Sequence, residues 1–552
     1  MCGWRSRGRF PPARPRFVFG SGLKPALLVG FALALASVGC GRHDVPAGAR
    51  PSSQVLRLSQ RNEPADLDPA ITSLPDEFGI LRALLEGLLV PGPNGGEPQP
   101  GVAERFEVSA DGLIYTFPLR RAAAWSNGDP VRAGDFVSAY RRLLTPATAA
   151  PKATAFYPVK NARGFATGTL RDFTAVGIRA ADEHTLVVTL EQPTPRFPYY
   201  VASGPWLPVH GPTVERHGRK WTSPGNFVGN GPFTLAEWRP HQRIVVRKNP
   251  RWHGAAGVRL AEIQFVYFDN GDAEERAYRS GQIDATMAVP SSKVEVYARE
   301  RPAELHRTPM IETRYLAFNT QRPPLTDERL RRALALAVDR EAIVQRVLKG
   351  GQPATGRLVP PALRGTASQL AHEHGFDPKR ARALLAAAGL DARTLRPLEA
   401  SCWSSSQTPV LEAVQAMWQQ ELGLRLTITL REAKVHLAAL AAGTYDIGFI
   451  TAIPDVADAF EILDDFVGDS PENYPHWHDA QFDQGMLAAR AISAAKPRAA
   501  ALADLEDGLL AAAPVTPIYH NPKIWLMSPR VRGWQEDGLW SRCYHTVYFD
   551  EK

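Results

Sequence analysis

Asp111-Gly112-Leu113-Ile114-Tyr115-Thr116-Phe117, followed by Trp125-Ser126-Asn127-Gly128-Asp129-Pro130-Val131 and Asp135-Phe136, reads as a turn, a strand and a packed loop. An Asp-Gly pair suits a hairpin turn, because glycine reaches positive φ without a Cβ clash. The β-branched and aromatic run after it suits a half-buried pleated strand. Trp125 gives the next loop an indole to pack around, and Asn127-Gly128 are expected to take positive φ.

Working outward, strand and helix signals alternate without a fixed repeat. His184-Thr185-Leu186-Val187-Val188-Thr189-Leu190 is a second β-rich run. Leu424, Leu426, Ile428 and Leu430 alternate with Arg425, Thr427 and Thr429, the period of a half-buried strand. Asp327 is placed to cap a helix carrying Leu330, Leu334, Val338 and Ile343 on one stripe and stopping at Gly350-Gly351. Asp377 is placed to cap another, with Pro378 at its first position and Gly389 just past its end. The mixture predicts α/β lobes. The 552 residues exceed one hydrophobic core, so two or three lobes are expected. Breaks at Pro193-Thr194-Pro195, Pro323-Pro324 and Pro514 to Pro517 are candidate crossings between them.

The net charge of +7 invites a nucleic-acid reading, but Arg5, Arg7, Arg9, Arg14, Arg16 and Lys24 precede residue 40, where no acidic residue occurs. Without those six the body is left at +1, which offers no footprint for a polyphosphate. The same region reads as an export signal: basic residues, an apolar run Ala26–Ala36, then Ser37-Val38-Gly39-Cys40. That run is too short to span a bilayer comfortably. Small residues before a cysteine resemble a lipoprotein processing site, so residues 1–39 are read as a signal peptide and Cys40 as the lipidated new N-terminus. The alternative is an N-terminal anchor that is never cut. Residues 40–54, with Gly41, Pro46, Gly48 and Pro51, read as a flexible tether. Cys402 and Cys543 either pair or stay as free thiols.

A search for chemistry returns little. No phosphate-binding Gly-x-x-x-x-Gly-Lys loop occurs, His372-Glu373-His374 lacks the second histidine of a zinc-protease motif, and Gly229-Asn230-Gly231 lacks a third glycine. No Gly-x-Ser-x-Gly elbow occurs beyond the leader. His372/His374 and His476/His478 are read as solvent-exposed loop residues rather than metal ligands. No enzyme, metal or cofactor is expected.

A series of phrases then resembles the extracellular solute-binding proteins of the oligopeptide and dipeptide family, the oligopeptide branch most closely. It runs through Leu67-Asp68-Pro69, Leu85-Glu86-Gly87-Leu88, Pro100-Gly101-Val102-Ala103-Glu104 and the opening stretch. It continues through Asn230-Gly231-Pro232-Phe233, Lys248-Asn249-Pro250, Gly281-Gln282-Ile283-Asp284, Pro323-Pro324-Leu325, Gly443-Thr444-Tyr445-Asp446 and Pro517-Ile518-Tyr519. Each phrase alone is weak; their order across residues 55 to 550 is specific.

The resemblance implies a periplasmic-binding-protein type II-like clamp of two α/β lobes with an additional inserted domain. Lobe I would comprise residues 55–85, 195–312 and 516–552, the inserted domain II residues 86–194, and lobe III residues 313–515. It implies capture of oligopeptides on the periplasmic side of a bacterial envelope, a lipid-anchored monomer, and delivery to the permease and ATPase subunits of an ABC importer. In the family an aspartate nine residues after the Gly-x-x-Asp phrase pairs with the peptide's amino end; here that is Asp455. Its alternative is to cap a helix through Val456–Leu463. Tyr445, Phe449 and Tyr519 are candidate cleft walls or core. The chain departs from the pattern at Phe449 and Ala452, where an arginine and a tryptophan are usual, and at Met287 or Ala288, where an asparagine is. Other readings of the same body are a carrier of a metal chelate, an opine or a cell-wall peptide, or a periplasmic chaperone or receptor.

Overall fold

The computed structural model describes residues 54–60, 63–93, 96–364, 375–392, 394–454, 456–492 and 494–550. Three sheets of four or five strands organise them. The first runs Val55–Gln60, Glu262–Tyr267, Arg243–Lys248, Phe233–Arg239; its first pair is parallel and the others antiparallel. Leu56, Leu58, Ile244, Val246, Ile263 and Phe265 point into one core, as period-two alternation requires. Helix Pro75–Leu84 packs against strand Phe233–Arg239. Gly231 permits this: a Cβ there would stand 2.6 Å from the Leu84 backbone. Beside it, the Asn230 side chain accepts from Glu86 N and donates to Glu86 O, both at 2.9 Å. The phrases around Glu86 and Asn230 are thus two halves of one joint.

The opening stretch lies in the second sheet, ordered Glu107–Val108, Ile114–Pro118, Thr185–Thr189, Ile178–Asp182, all antiparallel. The Asp111-Gly112 turn forms as expected, with Gly112 at φ 72°. Of the Asn127-Gly128 pair only Gly128 takes positive φ; Asn127 instead accepts Asp129 N through its side chain. Trp125 is fully buried and donates to Asp135, which also accepts Arg132 N at the start of helix Ala133–Leu144.

The third sheet is ordered Leu426–Leu430, Leu398–Cys402, Ile447–Ala452, Leu305–Phe318, Val515–Leu526. The first three strands are mutually parallel, and Leu305–Phe318 is antiparallel to both its neighbours. The pair Leu305–Phe318 and Val515–Leu526 is long, and its register shifts between Pro309 and Thr313. Near Leu305 it reaches the first sheet: Leu526 N donates to Thr286 Oγ1 at 2.8 Å, and Ala285 bridges Leu58 and Met527. Beyond Thr313 it belongs to the third sheet's core. These two strands therefore join separate cores.

Asp377 caps helix Pro378–Ala387 as expected, and Gly389 takes φ 69°. Asp327 caps Glu328–Leu336, but the helix expected to reach Gly350 stops at Ala337. Asp339 accepts Ala342 N at 2.9 Å and starts a new turn, so one apolar stripe is carried by two helices. Leu330, Leu334, Val338 and Ile343 are all fully buried. Helix Thr408–Leu422 closes this core with Trp418, whose Nε1 donates to Leu334 O at 3.0 Å; truncating so large a buried ring costs roughly 3–5 kcal/mol. Cys402 and Cys543 are both free thiols. No described helix is long and apolar enough to cross a membrane.

Candidate ligand site

In parallel α/β sheets ligands collect beyond the carboxyl ends of the strands. Here those ends are Cys402, followed by Trp403, and Ala452, followed by Ile453-Pro454. They lie where the two long strands change register, since Thr313 pairs with Ala452 and with His520. One residue on, Thr451, Arg314 and Tyr519 stand side by side across three strands. The Arg314 guanidinium lies 5.2 Å from the centre of the Trp403 ring. Behind Trp403, the His436 ring lies tilted against the indole, with centroids 5.4 Å apart; burial and the nearby Arg431 charge push its pKa down to about 4, so it is neutral at physiological pH.

A cavity of about 900 Å³ opens beside Ile453 and Pro454. Lys152, Tyr157 and Arg163 line one wall; Glu461, Asp465 and Arg490 line the other. Its size suits a small ligand. Contacts between residues 152–200 and 457–472 bridge the walls. Arg163 pairs with Asp469, Tyr200 donates to Glu461, Lys152 stands 3.6 Å from Glu472, and Arg196 donates to Ala457 O at 2.8 Å. Burial and the Glu472 charge raise the Asp465 carboxyl well above the usual carboxylate range.

Asp455 falls outside the described residues, as do Cys40, His372 and His374. The helix after Asp455 begins at Ala459, and its cap is Asp458. Asp446 is buried at the far end of strand Ile447–Ala452. Burial raises its carboxyl, but Arg396 hydrogen bonds, the Glu399 N–H and the Arg322 charge outweigh this and hold it below its usual range. Tyr445 is buried and donates to Tyr474 O. Phe449 is wholly buried opposite Leu316, one row behind Arg314. Tyr519 is buried beside Arg314 itself. His476 Nε2 bonds the Leu440 carbonyl at 3.0 Å. Among the described residues no three His, Cys, Asp or Glu side chains are grouped to hold a metal. The sequence reading overlooked Arg314, Trp403 and Thr451. A charged residue within the buried run Met310–Phe318 was the available signal.

The family model for "Bacterial extracellular solute-binding proteins, family 5 Middle" matches residues 97–474. The chain belongs to this family. Among family 5 relatives, the chain is 35% identical over 500 residues to the "Probable deoxycholate-binding periplasmic protein YgiS" of Escherichia coli, covering 89% of this chain and 92% of that protein. It is 31% identical over 531 residues to the "Periplasmic oligopeptide-binding protein OppA" of the same organism, covering 94% and 95%. The structure of the Escherichia coli murein tripeptide binding protein MppA superposes with a TM-score of 0.85 at 29% identity, covering 91% and 99%. Its unliganded open form superposes at 0.70, with 28% identity and coverage of 90% and 98%. The fold is therefore the two-lobed α/β type II clamp of family 5. Family 5 proteins are binding components of transport systems rather than enzymes.

Proposed function

We propose that this chain is an exported lipoprotein, anchored through Cys40 on the periplasmic side of the envelope, that captures short oligopeptides and delivers them to an ABC importer. The division into lobe I, inserted domain II and lobe III given by the sequence is part of this reading. The observation that carries it is the site's position: a cavity beside Ile453-Pro454, immediately before Asp455 in sequence, in a chain alike over 94% of its length to a protein named for oligopeptide binding. A carrier of many sequences must grip what all peptides share. Backbone amides can pair with an extended segment, and the amino end needs a carboxylate once closure removes water. Asp455 supplies that carboxylate.

A second reading has its own support. Phe449, Ala452 and Met287 are apolar and buried, and a 35% identical relative is named for deoxycholate binding. Apolar residues in place of the arginine, tryptophan and asparagine usual in peptide binders suit an amphipathic carboxylic acid with a broad apolar body. Native mass spectrometry of protein purified from its host tests the two directly. A series of peptide masses supports peptide capture; one steroid-like mass supports the second reading.

A further inference from the structure

Arg314 Nε and Nη1 are buried, and neither has a hydrogen-bond partner among the described residues. The side chain as a whole is half-buried, and N–H groups left without an acceptor away from water are uncommon and call for an explanation. The Trp403 face lies over the guanidinium; it stabilises the charge but accepts none of the in-plane N–H groups. The adjacent Thr451 Oγ1 is likewise buried without a partner. Glu312, two residues earlier on the strand, is committed elsewhere: its oxygens accept from Asn521 Nδ2 at 2.7 Å and from Trp540 Nε1. A planar fork of donors beside an unused hydroxyl, held on rigid strands, has the shape and charge to receive a carboxylate.

We propose that Arg314, backed by Trp403 and flanked by Thr451, anchors a carboxylate of the bound ligand at the cleft end of the five-stranded sheet. This rests on the ligand-capture reading above. The two oxygens would accept from Arg314, and one also from Thr451 Oγ1.

The test is calorimetry with trialanine, trialanine amide and deoxycholate on wild type and on the Arg314→Gln, Arg314→Lys and Thr451→Val variants. Wild type should bind trialanine about ten-fold or more tighter than its amide, the worth of a charge-assisted pair. Arg314→Gln should bring that ratio near one, Arg314→Lys should keep part of it, and Thr451→Val should lower it several-fold. Equal binding of acid and amide by wild type overturns the proposal, and so does an undiminished ratio in Arg314→Gln. If the glutamine variant does not fold, the wild-type comparison and the lysine variant decide. If wild type binds deoxycholate and no peptide, the peptide reading fails while the anchor stands, provided an Arg314 variant weakens deoxycholate about ten-fold or more. Binding of none of the three probes overturns the anchor.

Discussion

Asp458 accepts the backbone N–H of Phe460 at 3.1 Å and so starts helix Ala459–Asp464. It also pairs with Arg498 at 2.8 Å. The sequence left two roles open for Asp455, amine binding or capping of a helix through Val456–Leu463; the described helix starts at Ala459, and its cap is Asp458.

Substitutions at the two aspartates should therefore separate cleanly. Asp455→Asn should weaken a peptide with a free amino end by roughly 2–5 kcal/mol, about 30-fold or more, because an ammonium is left unpaired. Asp458→Ala should cost about 0.5–2 kcal/mol of stability through the lost cap and leave peptide affinity near wild type. Calorimetry and thermal melts read the two effects. Normal affinity of Asp455→Asn for free peptide, with N-acetylated peptide binding equally well, would sink the amine-binding role.

Closure on ligand should register in small-angle scattering as a smaller radius of gyration. The wall-to-wall pair Arg163–Asp469 is solvent-exposed on both sides, so Asp469→Ala should change affinity less than about five-fold. A collapse of binding in that variant would mean the pair is a latch rather than a surface contact.

Asp465 gives a pH dependence with a definite sign. Burial, then the Glu472 charge and more weakly Glu461, raise its carboxyl, while Lys152 opposes them. A carboxyl raised on folding holds its proton more tightly in the folded state, so its contribution favours the fold at low pH. That contribution is lost as pH climbs from the ordinary carboxylate range through the raised value. Asp465→Asn should thus raise the melting temperature at pH 8 by about 1–3 °C and leave it unchanged near pH 4. An equal shift at both pH values would show that packing, not ionisation, is responsible.

Lipidation at Cys40 predicts that Cys40→Ser accumulates as an unprocessed or unlipidated form in its host. Labelled palmitate and intact-mass analysis read this. Mature wild-type protein that begins elsewhere and carries no lipid would refute the anchor.

Much of the fold was legible because its signals are local. Asp111-Gly112 turns the chain whatever surrounds it, and Asp327 and Asp377 cap helices with their own side chains. The break after Leu336 was missed because the apolar stripe continues through it, and only the carboxylate of Asp339 re-aims the chain. The site was less legible. Arg314, Thr451 and Tyr519 are far apart in sequence, and only strand order makes them neighbours. Strand Leu305–Phe318 is buried on both faces beyond Pro309 except at half-buried Arg314, so it shows no period-two alternation and only its charge marks Arg314.

The interrupted pairing between Pro309 and Thr313 has a mechanical consequence. Arg314 lies one residue past it, so if the lobes close about this interruption, a ligand anchored as proposed would sit almost on the pivot. Force applied at a pivot has a short lever arm, whereas a protein docking at the outer rim of the jaws has a long one. An importer gripping the rims would then need only modest force to open the jaws and release a tightly held cargo without touching it.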